Sequence, residues 1–209
     1  MGYGIRPLDP HLRRKVNMSE NNQWADSNAL ANVLTGLSIY SLIPFFFGMV
    51  DNNLGCIPWM ICALPFMIIA VVGCFKNKDV VGATANAILT GVCLFGNMYH
   101  ALITLIFPNV PENIQAALVM GDGAADLGAA VFCGSVAFLA WKVNKLQSIA
   151  VMFPTVAFFL LFLMQMGIAG PFGVLPGTCF TIFGTWLIYS GIAIMFHQAT
   201  GEQILPYIK

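Results

Sequence analysis

Two aspartates sit four residues apart in the run Gly121-Asp122-Gly123-Ala124-Ala125-Asp126-Leu127-Gly128-Ala129-Ala130. On a helix that spacing puts both carboxyls on one face. Were the helix buried in a bilayer, Asp126 would lie near half depth, where a charged carboxylate costs about 2.5–3.5 kcal/mol. The pair must therefore face a polar interior. Two carboxyls close together in a poor dielectric compete for charge, which makes one of them a candidate to hold a proton. The chemistry on offer is proton carriage or pH gating by Asp122 and Asp126, with a purely structural pair as the alternative. His100, in the preceding apolar stretch, is the other group suited to a pH response. A neutral, hydrogen-bonded ring is the plainer expectation for it.

A second set of residues is polar but uncharged. Asn28, Asn32 and Thr35 lie on one side of one helical stretch, and Asn86, Thr90 and Asn97 run down another. Amides and hydroxyls can replace the hydration of a small solute, so these positions are candidates to line a pathway. The competing expectation is glue between helices, worth on the order of 1 kcal/mol per bond. Gln165 and His197 are further polar positions in apolar surroundings.

These groups must be held by membrane helices. Hydrophobic residues make up 58% of the 209-residue chain and charged residues 9%, against roughly 25% charge in a soluble domain. Apolar stretches occur near residues 29–50, 57–75, 80–107, 114–141, 148–169 and 172–196, and about 20 apolar residues suffice to span the hydrocarbon. All nine Lys and Arg fall on alternate connections or the tails: Arg6, Arg13, Arg14, Lys15, then Lys76 and Lys78, then Lys142 and Lys145, then Lys209. Cytoplasmic loops collect such residues. The expected fold is thus an all-α integral membrane protein with six transmembrane helices and both termini cytoplasmic. Residues 1–25 form a cytosolic tail, 26–200 the membrane domain and 201–209 a second tail. The outer connections are expected to be short, ending with a tight Gly170-Pro171 turn, and Pro44, Pro65, Pro154 and Pro176 fall inside spans.

Several functions are excluded. Net charge is zero, so no basic surface invites nucleic acid. The six cysteines are scattered without a CxxC pair, which argues against zinc or iron–sulfur ligation. No loop is long enough for an extramembrane domain, and no cofactor, metal or enzyme activity is expected. Small residues repeat at four along the aspartate-bearing helix (Ala125, Ala129 and Cys133; Ala124 and Gly128), the pattern of close helix packing.

From the second stretch onwards, over roughly residues 55–209, the chain resembles the acetate uptake transporter family, microbial acetate/succinate–proton symporters. The ending Gly201-Glu202-Gln203-Ile204-Leu205-Pro206 resembles the family's Gly-x-x-x-Leu-Pro close, and the stretch from Lys76 to Ala85 resembles its segment between spans two and three. Gly167-Ile168-Ala169-Gly170 and the Gly184 to Tyr189 rhythm also fit. The departures are specific. The family's Asn-Pro-Ala-Pro-Leu-Gly-Leu falls on Asp26-Ser27-Asn28-Ala29-Leu30-Ala31-Asn32, its narrowing Phe and Tyr on Thr35 and Leu89, and a family Glu on Cys74. The aspartate pair is not a family feature. The resemblance implies a plasma-membrane homo-hexamer, each protomer passing an acetate-like anion by way of a waist near Thr35 and Leu89, with proton coupling. A pH-gated channel for urea or ammonium is the alternative, since ionised aspartates oppose an anion. A non-transporting scaffold is a third class.

Overall fold

The computed structural model describes residues 26–201, apart from the side chains of Val92, Cys93, Leu94, Phe95, Asn97 and Thr104. The first 25 residues, and with them the expected cytosolic tail, lie outside the described residues, as do residues 202–209, which hold most of the Gly-x-x-x-Leu-Pro ending. Among the described residues the regular structure is helical: α1 (Asn28–Phe46), a 3₁₀ turn (Leu54–Cys56), α2 (Ile57–Lys76), α3 (Val80–Ile88), a π-helix (Leu89–Gly96), α4 (Asn97–Ile106), α5 (Glu112–Ala140), α6 (Lys145–Gln165) and α7 (Leu175–Thr200). Five helical segments are long and apolar enough to cross a membrane, namely α1, α2 with its 3₁₀ turn, α5, α6 and α7. The third apolar stretch is an unbroken succession of α3, the π-helix and α4, rather than the single α-helix expected.

Local chemistry sets the helix ends. Asp79 caps α3, its Oδ1 accepting from the Gly82 N–H at 2.8 Å. Asn144 caps α6 in the same way through the Gln147 N–H at 3.0 Å. Such caps satisfy N–H groups that the first helical turn leaves open. Gly48 (φ +67°) takes the left-handed conformation just beyond α1, so α1 stops at Phe46 and not at the expected residue 50. After α6 the Gly167 N–H donates to the Met164 carbonyl at 3.1 Å and the Ile168 N–H to Leu163 at 3.0 Å. Gly167 and Gly173, both at positive φ, make the connection to α7 a longer loop than the tight Gly170-Pro171 turn expected. Pro176 falls within the last span, as expected, in the first turn of α7, where its missing N–H has no helical partner to lose.

The helices close into a ring in chain order. α1 packs on α2, α2 on α3, α5 on α6, α6 on α7, and α7 back on α1, while α5 meets the third stretch through its π-helix. Half of the most apolar window of α7 is buried, against about a third or less in the other four spans, so α7 is the most enclosed helix. The α1–α7 contact is very close. A Cβ on Gly36 would meet the Gly184 carbonyl oxygen at 2.8 Å, one on Gly177 the Phe46 Cβ at 2.7 Å, and one on Gly191 the Ala29 carbonyl oxygen at 2.7 Å. Gly177, Gly184 and Gly191 recur every seven residues, keeping one glycine edge of α7 against α1 along its length.

One core cluster joins α1, α5, α6 and α7 through residues such as Ile39, Ala129, Phe158, Phe180, Phe183 and Leu187, and another joins α1, α2 and α4 around Met60, Met67 and Met98. Large apolar side chains including Trp59, Phe66, Ile69, Phe138 and Phe159 point outward, an inverted surface suited to lipid and not to water. On α5, Ala129 and Cys133 are buried in the core, whereas Ala124, Ala125 and Gly128 are exposed, so the small-residue repeats divide between two faces instead of packing as one.

Candidate functional site

The ring encloses two cavities at opposite ends. The turns 77–79 and 141–144, with Lys76, Lys78, Lys142 and Lys145 beside them, mark a basic end. The other end carries Asp51, Asp122 and Asp126 and is the acidic end.

The basic-end cavity, about 550 Å³, is lined by Asn28, Asn32, Asn86, Leu89, Gln147 and His197, above an apolar floor of Cys133, Val151, Phe183 and Leu187. Its asparagines are tied into the protein. The Asn28 amide nitrogen donates to Asp26 Oδ1 at 2.9 Å and to Asp79 Oδ2 at 2.8 Å. Asn28 Oδ1 accepts from the Asn86 amide at 3.1 Å and from the Cys74 thiol at 3.4 Å. Three helices meet at this one side chain. A Cβ at Gly82 would lie 2.7 Å from Asn28 Oδ1 and collide with the Asp79 carboxylate, so Gly82 makes the junction possible. Asn32 donates to Ser190 Oγ at 3.1 Å, and the Trp186 indole donates to Gln147 Oε1 at 2.9 Å. Asp26, Asp79, Cys74 and Gln147 were not singled out from sequence as site residues. The X-x-x-X spacing of Asp79 to Gly82 and Asn144 to Gln147 is the one signal that could have marked two of them, as cap positions.

The acidic-end cavity, about 410 Å³, brings together Asp51, His100, Asp122, Asp126 and Gln165 over a floor of Ile39, Phe158 and Phe180. His100 Nδ1 lies 2.6 Å from Asp122 Oδ2, bridging α4 and α5 where the ring is otherwise joined through the π-helix. Asp126 is 8% exposed, and its carboxylate interacts with the Gln165 side chain, which lines the same cavity. Thus the two aspartates share a cavity, as their spacing requires, but have separate partners.

Between the cavities lies a thin apolar layer. On α7 the lining passes from Phe183 to Phe180 within one turn, and on the third stretch from Leu89 to Gly91. Phe180 stacks on Phe46 (ring centroids 5.3 Å apart) and meets the Phe158 ring edge-on at 5.0 Å. Thr35 and Thr90 lie at the level of this layer but line neither cavity. The Thr35 hydroxyl donates to Met67 Sδ at 3.7 Å and the Thr90 hydroxyl to the Asn86 carbonyl at 2.6 Å. The side chain of Asn97 lies outside the described residues.

No family model matches the chain, and no curated protein matches it. Among solved structures, that of the bacterial acetate channel SatP superimposes with a TM-score of 0.74, covering 88% of this chain and 99% of that one at 18% identity. The two chains share one fold. With its apolar helices this makes the chain an all-helical, multi-pass membrane protein.

Proposed function

We propose that this protein is a plasma-membrane transporter or channel for acetate or a similar small monocarboxylate, coupled to protons. The observation that carries the proposal is the pair of cavities at opposite ends of the ring, each bearing polar side chains over an apolar floor and one apolar layer apart, in the fold of an acetate channel. In this mechanism the third stretch is a sixth span and the basic end faces the cytoplasm, following the Lys and Arg bias. The solute sheds water against Asn32, Asn86 and Gln147 at the basic end and against Gln165 at the acidic end. Leu89, Phe180 and Phe183 form the waist, with Thr35 and Thr90 supporting it. Asp126, with the His100–Asp122 pair beside it, carries the coupled proton. Assembly as a homo-hexamer with one pathway per protomer belongs to the same proposal.

Three carboxylates on one cavity favour a second mechanism, a pH-gated channel for a neutral or cationic solute such as urea or ammonium. Uptake of labelled acetate into proteoliposomes, with and without an inward proton gradient and beside labelled urea, separates the two. Acetate uptake that rises with the gradient is expected. Urea uptake without acetate uptake would replace the first mechanism by the second.

A further inference from the structure

At the acidic end the Gln165 amide lines the same cavity as Asp126. Its side chain interacts with the Asp126 carboxylate, and since an ionised carboxylate only accepts, the amide N–H groups are the ones that can donate to it. Its Oε1 is buried and has no hydrogen-bond partner among the described residues. Leaving a buried acceptor without a donor is costly, so this arrangement suits one charge state of its neighbour and not the other. Opposite the amide stands Gly123, whose absent Cβ would lie 3.2 Å from Gln165 Cβ and 3.4 Å from Oε1. The glycine leaves the side chain room to turn.

We propose that Gln165 makes anion binding depend on the proton held by Asp126. With Asp126 ionised, the amide N–H groups stay on its carboxylate, and the cavity presents negative charge and an unpaired oxygen to a solute. A proton taken from the water of the acidic-end cavity binds the Asp126 carboxylate. The new O–H donates to Gln165 Oε1, the amide turns over, and its N–H groups are released to an incoming carboxylate. The orphaned acceptor gains its donor and the repelling charge is gone in the same event. Proton and anion thus raise each other's affinity by the same factor. The other titratable groups on this cavity are Asp122, one turn away on α5, His100 from α4, bonded to Asp122, and Asp51 from the loop after α1. Helices α1, α6 and α7 present no titratable side chain to it among the described lining residues.

This inference rests on the monocarboxylate proposal, and the test separates the two. In weakly buffered detergent solution, acetate added to the wild-type protein is expected to draw protons from the medium, and the same addition to Asp126→Asn is not. In proteoliposomes the ratio of acetate uptake with and without an inward proton gradient should fall to about one in Asp126→Asn. Gln165→Met, which keeps the length but has no donors, should weaken acetate binding by about tenfold or more, as expected for one lost charge-assisted bond. Wild-type protein that binds acetate without taking up protons overturns the inference whether or not the variants fold. So does gradient-dependent uptake at the wild-type level in Gln165→Met. Wild-type protein that neither binds nor transports acetate overturns the monocarboxylate proposal itself.

Discussion

Asn28 and Asp126 show how differently one polar residue in a membrane helix can be used. Asn28 lines a cavity, yet both ends of its amide are bound by protein: Asp26 and Asp79 on one side, Asn86 and Cys74 on the other. Asn28→Ala should strip partners from Asn86 and Asp79 together and lower stability by about 1–3 kcal/mol, read as a fall in the melting temperature of the detergent-solubilised protein. An unchanged melting temperature would show that water replaces those bonds and that Asn28 serves the solute. The alternation of amides along α1 and α3 was legible in the sequence, but their partners were not. Cys74 and Asp79 reach Asn28 from 46 and 51 residues away, across a hairpin whose register no spacing rule supplies. The aspartates fared better because a four-residue interval on a helix fixes their common face before any tertiary contact is known. His100 was legible as a titratable group, and its pairing with Asp122 was not, because that contact joins separate helices.

At the level of elements, hydropathy marked the apolar stretches, while their ends depended on glycines at positive φ and on caps, whose effect is local. The π-helix of residues 89–96 escaped notice because a π segment shares its hydrophobic pattern with an α-helix. It contains Gly91, around which an added Cβ would find open space, and π segments recur at functional sites. Amides of residues 89–96 should exchange hydrogen faster than those of α1 and α7 in the folded protein, since local opening is easiest where packing is sparse. Equal protection across the three would contradict this. Two glycines in opposite surroundings, Gly36 at the α1–α7 contact and Gly128 on α5, allow a paired comparison. Gly36→Ala would push a methyl into the Gly184 carbonyl and should cost about 1–3 kcal/mol as overpacking. Gly128→Ala, which meets nothing within 4 Å, should be neutral or stabilise by up to about 1 kcal/mol through helix propensity. Melting temperatures of the two variants decide it. The seven-residue glycine period was present in the sequence, but period alone does not reveal which helix lies against it.

For the whole molecule, a basic end and an acidic end give the ring a polarity that membrane orientation must respect. If the basic end is cytoplasmic, a membrane-impermeant amine reagent added outside intact cells should leave Lys76, Lys78, Lys142 and Lys145 unmodified, and all four should react once the cells are opened. Modification from outside would invert the topology. Fold class and membrane character were readable from composition and charge distribution because lipid imposes one answer on the backbone, a helix with its bonds satisfied internally. The two cavities were not, because empty space is a property of how six stretches pack and not of any one of them. The glycine edge that brings α1 and α7 into backbone contact has a mechanical consequence. Two helices locked along their length behave as one stiff beam, whereas among the described residues the opposite side of the ring is joined through a π segment and a histidine–aspartate bond. Any motion that opens one cavity and closes the other should therefore swing the third stretch and α5 about a fixed α1–α7 stator, so that spin-label distances across α4 and α5 change with conditions while those across α1 and α7 stay constant.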